Sequence, residues 1–148
     1  MRIALALLPV ALTLAACAPK SEAPITDAQV RLPAVDGNPG AAYFTLHGGA
    51  KGRTLVRIQG ADIGRAEMHD MAMSDGMMKM VPLTQGVAAP AGGEVSFASG
   101  GKHVMLFDMK SGLKPGDPIR LDFAFADGST YEVTAKAEAP GGSDTHDH

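Results

Sequence analysis

Cysteine is scarce in this 148-residue chain, and Cys17 is the only one. Tryptophan is absent, and the aromatic set consists of five phenylalanines and two tyrosines. A single thiol cannot form an internal disulfide, so a disulfide scaffold and a dithiol oxidoreductase are both excluded. The fold must therefore be stabilised by its apolar core, and a hydrophobic content of 45% is sufficient to build one.

Basic residues are also few, with 13 lysines and arginines against 16 acidic residues and a formal net charge of −3. They form no cluster, so nucleic-acid binding is not expected. The sequence contains no Gly-x-Ser-x-Gly nucleophile motif and no close carboxylate pair at a recognisable site. The chain is therefore predicted not to be an enzyme.

The longest apolar run lies at the N-terminus and has the pattern of a secretory signal peptide over residues 1–16. Residues 14–17 (LAAC) resemble the lipobox of bacterial lipoproteins, in which the cysteine is acylated and begins the mature chain. Cys17 is accordingly predicted to be a lipid anchor, followed by a tether that ends at residue 26. Ala18 resembles the residue found in lipoproteins sorted to the outer membrane. We expect a membrane-anchored periplasmic protein, with the outer membrane favoured.

Residues 27–138 are predicted to form a single all-β domain. Short apolar stretches recur between Gly, Pro and Asp turn signals, and helical periodicity is nowhere sustained. This spacing favours a Greek-key β-sandwich or barrel. Nine strands are expected, at residues 28–32, 42–47, 54–59, 65–73, 77–81, 94–98, 104–109, 119–126 and 130–137. The polar tail at residues 139–148 is expected to be disordered.

Methionine and histidine occur together in one part of the chain. Eight of the nine methionines lie between Met68 and Met109, and His69 and His103 lie in the same stretch. Thioethers bind soft metal ions and imidazole suits copper, so the combination indicates Cu(I). Zn²⁺ rarely accepts a thioether, and Ca²⁺ or Mg²⁺ would require carboxylates, which we expect to be absent from the binding face.

The dipeptide Asp75-Gly76 predicts a two-residue hairpin turn. With this turn, Met73 would lie opposite Met78, and Met71 would lie opposite Met80. Because side chains alternate across a strand, one face of the hairpin would carry four sulfurs and one imidazole. These donors belong to His69, Met71, Met73, Met78 and Met80.

A second pair of donors lies downstream in His103-x-Met105, whose two side chains would project from one side of an extended segment. Gly100-Gly101 before it allows the backbone to approach another element closely. If this pair closed on the hairpin, the site would contain two imidazoles and two thioethers, a set that suits copper.

The chain resembles the PCu(A)C family of periplasmic copper chaperones in these residues. The family carries a His, a Met eleven positions later and a downstream His-x-Met, which His69, Met80, His103 and Met105 match. The resemblance implies a cupredoxin-like fold and Cu(I) binding by these four residues. It also implies delivery of copper to the copper subunit of cytochrome c oxidase, alongside thioredoxin-like assembly factors. The stretch between Met80 and His103 is one residue longer than in the family, and we expect a loop at residues 86–93 to accommodate the difference.

The remaining methionines of the Met-rich stretch fall into two groups. Three share the predicted hairpin face and could act as auxiliary ligands or shield the metal. Three others are expected to fill gaps in the core, as methionine commonly does. The first group is Met71, Met73 and Met78, and the second is Met68, Met77 and Met109.

Three histidines lie outside the matched motif. His47 is expected at the surface. His146 and His148 stand beside two aspartates in the C-terminal tail and could form a Cu(II) site, although a solvated tail is the first interpretation.

A copper chaperone is favoured over two alternatives. A structural or adhesive lipoprotein with a Met-rich core would share the fold without responding to metal, and a general copper storage or tolerance protein would bind copper without a specific acceptor. A blue-copper electron carrier is excluded because its site requires a thiolate, which the mature domain lacks. The protein is expected to be a monomer that contacts the membrane through its lipid anchor.

Overall fold

The computed structural model describes residues 23–141. The predicted signal peptide, the lipidation site Cys17 and the tail histidines His146 and His148 lie outside the described residues. Ten strands make up the described part of the chain. They are β1 (Ile25–Arg31), β2 (Gly40–His47), β3 (Arg53–Gln59), β4 (Ile63–Ser74), β5 (Met77–Pro82), β6 (Val87–Ala89), β7 (Glu94–Phe97), β8 (His103–Met109), β9 (Pro118–Phe125) and β10 (Thr130–Glu138).

The ten strands form one continuous hydrogen-bonded sheet in the order β5-β4-β8-β2-β1-β10-β9-β3-β6, and β7 pairs with β2 beyond the end of β8. All pairs are antiparallel except β1 with β10, which run parallel. The sheet curls on itself, so that β3 contacts β4 and β6 contacts β7. Closing a sheet in this way buries one face of most strands. The edge strand β5 is the exception, because it is exposed along its whole length.

The enclosed face holds the hydrophobic core. Alternate residues of β9 are buried, including Leu121, Phe123 and Phe125, as the strict alternation in the sequence predicts. Phe44 of β2 stacks on Phe97 at a centroid distance of 4.3 Å and meets the edge of Phe123 at 4.9 Å. Phe97 lies on β7, which pairs directly with β2, so it is the contact with Phe123 of β9 that spans the interior of the curled sheet.

The prediction of an all-β, cupredoxin-like domain is confirmed, and the nine expected strands are present with boundaries within three residues. The prediction of a loop at residues 86–93 is wrong in part, because Val87–Ala89 forms an additional strand, β6, which pairs with β3. Val87 and Ala89 are buried and Ala88 is exposed, but three residues are too few to give a recognisable alternation in the sequence. No helix within residues 23–141 is long and apolar enough to cross a bilayer.

Candidate metal centre

The β4–β5 hairpin has the register that Asp75-Gly76 predicts. Asp75 and Gly76 both adopt positive φ, at 52° and 75°, as a type I′ turn requires. Met71 pairs with Met80 and Met73 pairs with Met78. Directly opposed residues share a face, so these four thioethers project from the same side of the hairpin.

Strand β8 adds the downstream donors to the same face from the other side of β4. His69 pairs directly with His103, and their ring centroids are 5.9 Å apart. On β8, Val104 and Leu106 are buried in the core, so His103 and Met105 point outward. The extra residue in the preceding segment does not displace His103 from this position. The structure thus brings the four residues of the matched motif to one outer face of three adjacent strands.

A hydrogen bond to a nearby backbone carbonyl holds the His103 imidazole in one tautomer. Its Nδ1 lies 2.8 Å from the carbonyl oxygen of Gly101. Because a carbonyl can only accept, Nδ1 carries the proton and donates, which leaves the lone pair on Nε2. A backbone hydrogen bond of this kind fixes a metal-binding imidazole before the ion arrives.

His69 is the more buried of the two histidines, with only 8% of its surface exposed. Its Nε2 lies 3.4 Å from Oε2 of Glu67, whereas its Nδ1 is buried and has no hydrogen-bond partner among the described residues. A carboxylate can only accept, so an imidazole that donates from Nε2 towards Glu67 carries its lone pair on Nδ1. A buried acceptor without a partner is costly, and a bound metal ion would satisfy it.

Glu67 contradicts the expectation that the binding face lacks carboxylates. It precedes His69 by two residues on β4 and pairs with Met105 of β8, so it shares the outer face. Its Oε1 also lies 3.0 Å from Nε of Arg65, whose guanidinium in turn sits over the Phe107 ring. The alternation of the strand could have revealed this residue, because position 67 necessarily faces the same way as position 69.

An ion pair ties β4 to β8 on the reverse side of the same strands. Nζ of Lys102 lies 2.7 Å from Oδ2 of Asp70, and the Met71 amide donates to Oδ1 of the same carboxylate. The hydrogen bond from Lys102 is the main reason that the pKa of Asp70 is lowered. Asp70 and Lys102 are the chain neighbours of His69 and His103, so the ion pair holds the two histidine positions together.

Most of the sulfurs on this face are exposed rather than packed. Met73, Met78 and Met80 expose 68%, 51% and 49% of their surface. The expectation that Met77 packs in the core is wrong, because it is 62% exposed near the hairpin tip. The other two predicted core methionines, Met68 and Met109, do pack against the core. The hairpin therefore extends beyond the core, which cannot cover its outer residues.

The surface position expected for His47 is also wrong. Only 8% of this residue is exposed, and its Nε2 lies 2.9 Å from the hydroxyl of Thr26. Glu94 of β7 lies 3.6 Å from Nδ1. His47 is buried because β1 and β7 both flank β2 there, which the local sequence around His47 does not indicate.

The described residues contain no group of three or more His, Cys, Asp and Glu side chains arranged to hold a metal ion. The outer face of β5, β4 and β8 instead brings together imidazoles and thioethers. Such a mixture of neutral sulfur and nitrogen fits a soft monovalent ion and disfavours hard divalent ions.

Comparison with known proteins gives a consistent assignment at the level of sequence. A family model described as "Putative lipoprotein LpqE-like" matches residues 24–137. "Uncharacterized protein RP573" of Rickettsia prowazekii is 34% identical over 97 residues, which are 65% of this chain and 54% of that protein. "Putative lipoprotein Lxx21020" of Leifsonia xyli is 34% identical over 67 residues, or 45% of this chain and 40% of that protein. The chain thus matches about half the length of these relatives.

Solved structures share the fold over most of the domain. The copper-bound PCuAC domain of PmoF2 is 20% identical, with a TM-score of 0.63 over 78% of this chain and 92% of that one. The apo form of DR1885 from Deinococcus radiodurans is 25% identical, with a TM-score of 0.60 over 95% of this chain and 97% of that one. Its Cu(I) form is 27% identical, with a TM-score of 0.55 over 79% and 78% of the two chains.

Proposed function

We propose that this chain, which belongs to the LpqE-like lipoprotein family and has the fold of PCuAC domains, is a periplasmic copper chaperone. Its cargo is Cu(I), and its ligands are His69, Met80, His103 and Met105. The main supporting observation is that these four side chains lie on the same outer face of β5, β4 and β8, with the two imidazoles directly opposed.

The state of the two imidazoles supports this ligand set. His103 has its Nδ1 proton committed to the Gly101 carbonyl, and His69 has a buried nitrogen without a partner among the described residues. Both rings therefore offer a lone pair at little cost in reorganisation. Two thioethers complete a neutral donor set that prefers Cu(I) to Cu(II) or Zn²⁺.

Thioethers are suited to the periplasm for a chemical reason. A pair of thiolates would be oxidised to a disulfide in that compartment, whereas thioethers need no deprotonation before they bind metal. Met80 is half exposed at the open edge of the sheet, because β5 is the terminal strand. An acceptor can therefore approach from this side and replace the ligands one at a time.

The acceptor in this proposal is the copper subunit of cytochrome c oxidase, which receives the ion with the help of thioredoxin-like assembly factors. The chain acts as a monomer, without catalysis, and an acyl group on Cys17 keeps it at a membrane, with the outer membrane favoured. Two of the similar solved structures are described as copper-bound or Cu(I)-bound, which supports the choice of cargo.

A structural or adhesive lipoprotein built on a Met-rich core is the less favoured reading. Its premise is that the methionines fill the interior, yet Met73, Met78 and Met80 are about half exposed or more. Large exposed apolar side chains cost solubility unless they serve a binding purpose. Coordination of a soft metal gives them such a purpose.

A Cu(I) titration tests the proposal. Under anaerobic, reducing conditions, competition with a chromogenic Cu(I) chelator should show one tightly held ion in the wild type. The double variant His103→Ala/Met105→Leu should lose that ion while it keeps the same circular dichroism spectrum. Met77→Leu is the matched control, because Met77 is exposed on the other face of the same hairpin. Unchanged affinity in the double variant would refute the proposed site.

A further inference from the structure

The proposed copper site leaves part of the sulfur face unused. Met73 and Met78 form the pair nearest the hairpin turn, and both are more than half exposed. Neither side chain belongs to the core cluster or to the packing layer around it. Met71 lies on the same face, one pair further from the turn and directly opposite Met80.

The spacing of a β-ladder separates this outer pair from the histidines. Successive residues on one face of a strand are about 7 Å apart, so the Met73–Met78 pair lies about 7 Å from Met71–Met80 and about 13 Å from His69. By this spacing, an ion bound to the two histidines lies nearer to Met80 than to either outer sulfur. Directly opposed Cβ atoms are only about 5 Å apart, which allows Met73 and Met78 to hold a common ion between them.

Charge on the hairpin is consistent with a cation on this face. Lys79 pairs with Ala72 and therefore points to the opposite side, where its Nζ lies 3.4 Å from Asp75. Among the described residues, the sulfur face near the turn thus carries no ammonium group to repel a cation. Residues 23–141 also place no carboxylate on this part of the face, so a hard divalent ion would find no suitable ligand there.

We propose that Met71, Met73 and Met78 form a second, weaker site for a soft monovalent cation such as Cu(I) or Ag(I). Three flexible thioethers supply the ligands, with the diagonal Met71 completing the opposed pair. Binding is weaker than at the histidine site because imidazole is absent and three mobile side chains must become ordered.

The position of Met71 gives this site a role in loading, a step that rests on the proposed function. An ion held by the outer methionines reaches the inner site when a bond to Met80 sulfur forms and a bond to an outer sulfur breaks. The ion keeps its charge, and neither a proton nor an electron is transferred. The exposed outer site would thus capture the ion first and pass it to the more buried histidines.

Silver titration of the purified protein tests the second site without redox chemistry. Native mass spectrometry counts the bound ions, and the ε-methyl signals of ¹³C-labelled methionine report which sulfurs respond. The wild type should bind two Ag(I) ions, and the second should shift the methyl signals of Met71, Met73 and Met78. Met73→Leu/Met78→Leu should bind one ion only and retain the tight one. Met77→Leu, the control on the opposite face, should bind two.

A variant that removes two ligands of the histidine site distinguishes the two sites experimentally. His103→Ala/Met105→Leu should keep an ion at the outer methionines while it loses the tight one. A wild type that binds a single ion would overturn the second site and leave the proposed function intact. A second ion that persists in Met73→Leu/Met78→Leu would overturn it as well. Retention of the tight ion in His103→Ala/Met105→Leu would instead refute the proposed function, and the outer site would stand.

Discussion

His69 and His103 lie directly opposite each other on β4 and β8, with ring centroids 5.9 Å apart and planes inclined at 67°. The two residues are 34 positions apart in the chain, and their proximity depends on the pairing of two strands that are not consecutive. A β-ladder is a rigid support for a metal site, because neighbouring side chains cannot separate without breaking backbone hydrogen bonds.

The hydrogen bond from Nδ1 of His103 to Gly101 predicts which nitrogen binds the ion. Since Nδ1 carries the proton, Cu(I) or Ag(I) should bind through Nε2. Long-range ¹H–¹⁵N correlation spectra of the imidazoles should show Nδ1 protonated before metal is added. On loading with one Ag(I), the ¹⁵N shift of Nε2 should change most. A larger change at Nδ1 would mean that the Gly101 hydrogen bond breaks on binding.

Glu67→Gln should weaken Cu(I) binding by about tenfold, because a carboxylate that orients a ligand imidazole typically contributes this much or more. The carboxylate contacts Nε2 of His69 at 3.4 Å and adds a negative charge near the cation. Chelator competition measures the effect. Glu94→Gln is a matched control, since the Glu94 carboxylate lies 3.6 Å from the imidazole of His47, away from the copper face. Equal affinity in wild type and Glu67→Gln would remove Glu67 from the site.

Lys102→Met should lower the free energy of unfolding by about 1 kcal/mol, because it leaves the partly buried carboxylate of Asp70 without its cation. Chemical denaturation at neutral pH measures this loss. Lys79→Met removes a more exposed ion pair with Asp75 and should change stability by less than about 0.5 kcal/mol. Equal effects of the two substitutions would show that the Asp70 ion pair does not fasten β8 to β4.

The hairpin half of the site could be predicted from the sequence because its information is local. Asp75-Gly76 accepts the positive φ values of a type I′ turn, and a two-residue turn fixes the register of every pair that follows. Counting residue pairs outward from the turn then places Met71 opposite Met80. The alternation of side chains along β4 would likewise have placed Glu67 on the same face.

Non-local features of the site could not be predicted in this way. The donor types and the resemblance to a known family indicated that His103 joins the hairpin, but local patterns do not reveal which distant strands pair. The burial of His47 depends on Thr26 and Glu94, which belong to two other strands. The exposure of Met77 depends on how far the hairpin extends past the core. Each of these properties is set by tertiary contacts rather than by the residue's own neighbours.

Asp127 predicts a pH-dependent contribution to stability. Its carboxylate accepts hydrogen bonds from the Ser129 hydroxyl at 2.6 Å and from the Ser129 amide at 2.9 Å, and these bonds lower its pKa. A lowered pKa stabilises the fold above the unfolded value of 3.8, and this stabilisation is lost as the pH falls through the folded pKa.

The difference in melting temperature between wild type and Asp127→Ala should therefore be constant from pH 7 to about pH 5 and shrink in more acidic solution. The difference in melting temperature between wild type and Ser129→Ala should be smaller than that for Asp127→Ala over the same pH range, because Ser129→Ala removes the hydroxyl donor and keeps the amide donor. A difference that grows towards low pH would contradict the assigned direction of the shift.

Gly76→Ala should destabilise the protein by about 1 kcal/mol, because an alanine at a φ of 75° is strained by its own Cβ. An added Cβ at this position would meet no atom within 4 Å, so the cost is one of backbone conformation alone. Gly76→Asn should recover part of the loss, since asparagine tolerates the left-handed region. Thermal unfolding measures both effects.

The same substitution separates the two proposed metal sites. Met73 and Met78 are the pair nearest the turn, whereas three of the four inner ligands lie on β4 and β8, whose pairing does not depend on the turn. These three are His69, His103 and Met105, and only Met80 lies on β5. Distortion of the turn should therefore weaken the second Ag(I) ion more than the first. Gly101→Ala is the control, because its Cβ would meet nothing closer than 3.8 Å and it leaves the Gly101 carbonyl in place. Equal weakening of both ions in Gly76→Ala would mean that the turn and the histidines act as one unit and that the outer methionines have no site of their own.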